Sequence, residues 1–188
     1  MASNADLSGG GRIRWRVLGW GTAVALLVTP LVAMQFTSEV NWTLSDFLFA
    51  GAMFGIVGGT FELAVRASGN KAYRGGAAVA LATAFLLVWI NGAVGIIGSE
   101  GNPANFMFLV VIAIAIAGAI VARFEAPGMA RAMSVAAAAE ALVGLIALAL
   151  RLGASEPPGM VGVLVLINFF ALLWLLAAWL FRRAARTA

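Results

Sequence analysis

Cysteine and histidine are both absent from the 188 residues. Without a thiol the chain makes no disulfide, no thiolate metal site and no cysteine nucleophile. Without an imidazole it lacks the commonest ligand for haem, copper, zinc and chlorophyll, and the commonest general base. Only 11% of residues are charged, against about 25% in an ordinary soluble domain. The single lysine, Lys71, falls in a connection, so a retinal Schiff base inside the fold is excluded as well. For an intramembrane enzyme these absences leave only carboxylates, Ser99 or Ser134 to act, with no recognised catalytic spacing among them. No catalytic residue, cofactor site or metal site is expected, and the chain does not read as an enzyme.

In their place stand hydrophobic residues, 63% of the chain. They gather in six stretches, at 17–36, 44–65, 77–98, 106–122, 132–150 and 160–181. At about 1.5 Å per helical residue each stretch can cross about 30 Å of hydrocarbon. None alternates apolar and polar residues as a transmembrane β-strand does. The expected fold is all-α, an integral membrane bundle of six transmembrane helices. The domain reading is a flexible cytoplasmic tail at 1–11, ending in Gly9-Gly10-Gly11, followed by one six-helix domain at 12–188. Connections between the stretches are short and leave no room for a soluble domain.

Threading the stretches back and forth puts eleven of the twelve basic residues on one side. Arg12, Arg14 and Arg16 precede the first; Arg66, Lys71 and Arg74 follow the second; Arg123 and Arg131 bracket the turn after the fourth; Arg182, Arg183 and Arg186 follow the sixth. Only Arg151 falls opposite. Basic loops stay cytoplasmic, so both termini are expected inside. The net charge of +4 is spread along this rim with no dedicated soluble domain, which argues against nucleic acid as a partner. The first stretch follows three arginines yet is long for a signal peptide and lacks a convincing cleavage site, so it reads as a retained span. Abundant alanine and a preference for Arg over Lys point to a bacterium of high genomic GC content and to its inner membrane. The bilayer is the expected partner, with a second copy or another membrane protein also possible.

Local signals support the boundaries. Thr43 and Asp46 form a capping box at the start of span two. Asn102-Pro103-Ala104 invites comparison with aquaporins. Those proteins carry two such triplets on half-helices, whereas this chain has one in its third connection, so Asn102 reads as a helix cap with Pro103 in the first turn. Trp42 suits the outer interface, and Trp15, Trp20, Tyr73 and Trp179 the inner one. The two three-span halves share no convincing inverted repeat.

Helical spacing returns Gly51, Gly55, Gly58 and Glu62 of span two to within about 40° of one face. Gly95 in span three and Gly144 in span five lie on comparable small-residue stripes. Such faces let backbones approach where lipid supplies no hydrophobic force. Glu140 is the most informative residue. It lies near the middle of span five among apolar neighbours, where a charged side chain costs about 2.5–3.5 kcal/mol on insertion scales. Two readings compete: a proton- or cation-linked site, or a carboxyl hydrogen-bonded to a neighbouring helix. Asn91 and Asn168 lie at similar depth in the outer half, so a shared polar pocket of Glu140, Asn91 and Asn168 is expected. Secondary candidates are Glu62, four residues before Arg66 in the order that favours a helical ion pair, and Asp46 and Glu100, which with Glu39 could attract a cation at the outer surface.

The segments Asn41-Trp42, Asp46-Phe47, Phe61-Glu62-Leu63, Trp89-Ile90-Asn91, Gly95-Ile96-Ile97-Gly98-Ser99-Glu100, Asn102-Pro103-Ala104-Asn105, Ala122-Arg123-Phe124 and Gly128-Met129-Ala130-Arg131 resemble an uncharacterised family of small polytopic bacterial inner-membrane proteins. The resemblance covers residues 41–131, more loosely beyond. That family has no assigned activity, so the resemblance implies a membrane fold and no functional residues. The functional expectation is a small transporter or channel-like subunit with an intramembrane acidic site; the alternative is a non-catalytic structural subunit or assembly factor of a membrane complex.

Overall fold

The structure is a computed structural model. It describes the backbone of residues 6–187 and the side chains of residues 16–187. Among the described residues it is all helical: α1 (Asp6–Ala33), α2 (Leu44–Ala67), α3 (Lys71–Ala93), a 3-10 turn (Pro103–Asn105), α4 (Phe106–Val121), α5 (Ala126–Ala149) and α6 (Gly159–Ala185). All six α-helices are long and apolar enough to cross a membrane, α4 together with the turn before it. Of the segment read as a tail, residues 1–5 lie outside the described residues, while 6–11 belong to α1. The chain divides into two units, Met1–Glu62 and Leu63–Ala188.

In the first unit Trp20 of α1 lies over Gly58 of α2, where a Cβ would come within 3.1 Å of the indole. Gly51 approaches Leu27. Arg16 of α1 forms an ion pair with Glu62 across the two helices. At the start of α2 the capping box closes as expected, with Thr43 N–H donating to Asp46 Oδ2 at 2.7 Å and Asp46 N–H to Thr43 Oγ1 at 3.4 Å. Gly58 therefore serves close approach, while a Cβ at Gly51 would make only an ordinary contact, 3.9 Å from Leu27. Gly55 differs, because a Cβ there would meet nothing within 4 Å.

The second unit is built on α5, which packs against α4 on one side and α6 on the other, while α6 also packs on α3. The reason is written in the spacing of buried residues. Along α6, Val163, Ile167, Phe170, Trp174, Ala177, Phe181 and Ala184 are buried at alternating steps of four and three. Met129, Met133, Ala136, Glu140, Val143 and Ala147 follow the same rhythm on α5. This is the 3.5-residue repeat of helices packed at a shallow angle, knobs into holes. Large side chains of α6 fill the space left by alanine and glycine on its neighbours. Gly144 would place a Cβ 3.1 Å from Ile167, and Gly76 of α3 would place one 3.1 Å from the Phe181 ring.

The end of this unit where α3 begins is fastened by polar contacts. Asn70 caps α3 by accepting the N–H groups of Ala72 and Tyr73, and its amide donates to Thr187 Oγ1 at 2.9 Å. Tyr73 O–H donates to the Phe124 carbonyl at 2.7 Å. Arg74 donates to the Val65 and Ser68 carbonyls, satisfying acceptors at the end of α2.

Span three ends earlier than its hydrophobicity suggests. The helix stops at Ala93, and Gly95 (φ 76°) and Gly98 (φ 67°) turn the chain so that Ile96 and Ile97 fold back and are buried. Gly95 is therefore a turn residue and not a helix-packing one, a correction whose cause is the left-handed backbone that glycine adopts without strain.

Candidate functional site

Glu140 sits in the seam between α5 and α6 and has no solvent-accessible surface. Neither carboxyl oxygen has a hydrogen-bond partner. On the α6 side stands Trp174, 1% exposed, whose indole interacts with the carboxyl. No hydrogen bond of regular geometry closes between them, and the Trp174 Nε1 is itself unpaired. A buried acid and a buried indole donor thus face each other inside an alanine-rich seam. Most buried polar groups find a partner, because an unpaired one costs about 1–3 kcal/mol.

The structure does not bring the two asparagines to this site. Asn168 is exposed on α6, and its amide donates to the Leu164 carbonyl of its own helix at 2.8 Å. Asn91 lies in the last turn of α3, because that helix ends two residues later. Its amide donates to the Leu87 carbonyl at 2.7 Å, and its buried Oδ1 has no partner. The expected shared pocket is replaced by Glu140 with Trp174. The signal for Trp174 was available: it is the one aromatic in span six that falls in the buried register near mid-helix with a polar atom to satisfy.

The secondary candidates scatter. Glu62 pairs with Arg16, while the Asp46 carboxylate accepts from both the N–H and the hydroxyl of Thr43. Glu100 is exposed in the turn before Asn102. Among the described residues no group of three or more carboxylates is arranged to hold a metal ion. Asn102 caps the short turn by accepting the Ala104 N–H at 3.0 Å, with Pro103 in first position, as its spacing predicts.

Two residues that sequence reasoning passed over organise this end of the unit. Asn105 is buried; its Oδ1 accepts the Ile96 and Ile97 N–H groups at 3.2 and 2.9 Å, and its amide donates to the Ser99 carbonyl at 2.9 Å. Glu156, from the connection between α5 and α6, accepts the Ser99 N–H at 3.0 Å. A Cβ at Gly98 would fall 2.5 Å from the Glu156 carboxylate and displace it, and the φ of 67° at this position is one that glycine adopts without strain. The connection after α3 and the connection between α5 and α6 are thereby tied to each other. No family model, curated protein or solved structure matches the chain.

Proposed function

We propose that the chain is a multi-pass protein of the bacterial inner membrane, with six spans and both termini cytoplasmic, acting as a small proton- or cation-linked transporter or channel-like subunit. Membrane residence is supported by the six apolar helices and by outward-facing Leu142, Leu145, Leu172 and Val161, which water solvates poorly. Retention of basic residues on one rim supports the orientation. No catalytic reaction and no cofactor is assigned.

The transport reading rests on one observation, the wholly buried Glu140 carboxyl with both oxygens unpaired. A purely structural acid is expected to be hydrogen-bonded. An unpaired one is explained if the conformation seen is one of two, the other opening the α5–α6 seam so that water or a cation reaches the carboxyl. An ionisable residue within a membrane span is by default a functional group. Alanine and glycine make up most of the buried α5 side of the seam, so most of the side chains that would have to part belong to α6.

The second reading, a non-catalytic subunit or assembly factor that works beside a partner or a second copy, is favoured by the complete enclosure of Glu140 in a packed seam. Flux in proteoliposomes separates the two. With an imposed pH gradient, wild-type protein should dissipate the gradient and Glu140→Gln should not, while both show the same helical content. Equal flux from both would leave the structural reading standing.

A further inference from the structure

Besides the seam itself, α5 and α6 meet at a polar contact near the end where the basic residues collect. The Ser134 hydroxyl donates to the Ala130 carbonyl at 2.9 Å and accepts Arg182 Nη2 at 3.0 Å. Arg131 stands one turn before Ser134, and Arg186 one turn after Arg182, so each shares a helix face with the residue that makes the contact. All three arginines are exposed, and Ser134 is half-buried. Among the described residues no carboxylate pairs with any of them, and the acid at the start of α5, Glu125, is not drawn to them. One guanidinium thus rests on the hydroxyl, with two more exposed one turn away on the same helix faces and no carboxylate of the described residues paired with them.

Next to this cluster the α5–α6 surface becomes wholly apolar. Ala138 and Ala141 of α5 face outward, with Leu175 exposed on α6. Small residues on one helix and leucine on the other thus make an exposed apolar strip on the turns beyond the arginines. A soluble anion would use only the charged end. A ligand with an anionic head and a hydrocarbon tail would use both.

We propose that this surface binds an anionic phospholipid, its phosphate held by Arg182, Arg131 and Arg186 and one acyl chain lying along the apolar strip. Arginine suits the task because its planar fork donates two parallel hydrogen bonds to phosphate oxygens. Basic pockets between helices at the membrane rim are a recurring way to recognise anionic headgroups. The inference rests on the membrane residence proposed above and is independent of what Glu140 does.

The test uses the full chain purified in a neutral detergent, with bound lipid counted by native mass spectrometry during titration with phosphatidylglycerol or phosphatidylcholine. Wild-type protein should retain phosphatidylglycerol at least tenfold more strongly. Arg182→Gln should lose about tenfold, Arg182→Lys less, and Arg151→Gln, an equal loss of charge at the far end, nothing. Retention unchanged in Arg182→Gln and in the Arg131/Arg182/Arg186 triple glutamine variant would overturn the proposal. So would displacement of the lipid by equimolar glycerol phosphate, which would mark a soluble-anion site. Failure of membrane residence would show separately, as protein that stays dispersed without detergent and does not enter bilayers of either lipid.

Discussion

Glu140 of α5 and Trp174 of α6 face each other across a helix seam, both buried, with the carboxyl oxygens and the indole N–H unpaired. The indole matters for what a substitution does. Trp174→Phe removes an orphan donor and keeps the ring, so it should preserve or slightly raise thermal stability in detergent. Trp174→Ala should lower it strongly, since truncating a buried aromatic costs about 3–5 kcal/mol. A midpoint that falls as far with Phe as with Ala would mean that the indole N–H facing Glu140, and not the ring, carries the stability.

The close approach of α6 to its neighbours at glycine gives a second expectation. Gly76→Leu would push into the Phe181 ring and Gly144→Leu into Ile167. Each should destabilise by about 1–3 kcal/mol, the usual cost of overpacking. Gly92→Leu, where an added Cβ meets nothing within 4 Å, should cost little. Thermal unfolding of the three variants in one detergent checks the order.

Asn105 and Glu156 hold the same turn from inside and outside. Asn105→Ala leaves the Ile96 and Ile97 N–H groups buried without an acceptor, at about 1–3 kcal/mol for each. Glu156→Ala frees one exposed N–H and should cost less. Amide hydrogen exchange at residues 95–99 should quicken in both variants and far more in Asn105→Ala. The reverse order would contradict the assignment of Asn105 as the main clamp.

Orientation can be tested at positions that tolerate change. Asn70 and Gly128 are poor choices, because Asn70 caps α3 and a Cβ at Gly128 would strike Ala122. Gly69 and Gly101 are exposed with open space around them. In a chain without native cysteine, Gly101→Cys should react with an impermeant thiol reagent added outside cells and Gly69→Cys should not. Labelling of Gly69→Cys from outside would refute the proposed topology.

Helix number and type were legible because long apolar runs permit little else, and caps at Thr43, Asn102 and Asp46 are local chemistry with local signatures. Glu140 was legible for a related reason: a carboxyl in an apolar run is conspicuous whatever surrounds it. Its partner was not. Asn91 and Asn168 stand out as amides in apolar spans, yet each donates to the carbonyl four residues earlier in its own helix and not to another helix. Trp174 was overlooked because tryptophan in a membrane sequence suggests an interface, and only the 3.5-residue register of α6 shows that it points into the seam. Gly95 was misplaced for want of its backbone angle, since a helical stripe and a turn draw on the same residue.

Opening of the α5–α6 seam can be followed without knowing a substrate, by treating the protein in bilayers with a lipid-soluble carbodiimide and locating the adduct by mass spectrometry. A carboxyl enclosed on all sides stays unmodified, whereas one that is intermittently reached from the membrane or from water is captured as its acylurea. Modification at Glu140, with Trp174→Ala raising its rate by loosening the seam, is the expected result. A Glu140 that stays unmodified while exposed carboxyls such as Glu100 react, in wild type and in Trp174→Ala alike, would contradict an opening seam and leave this carboxyl a packing group.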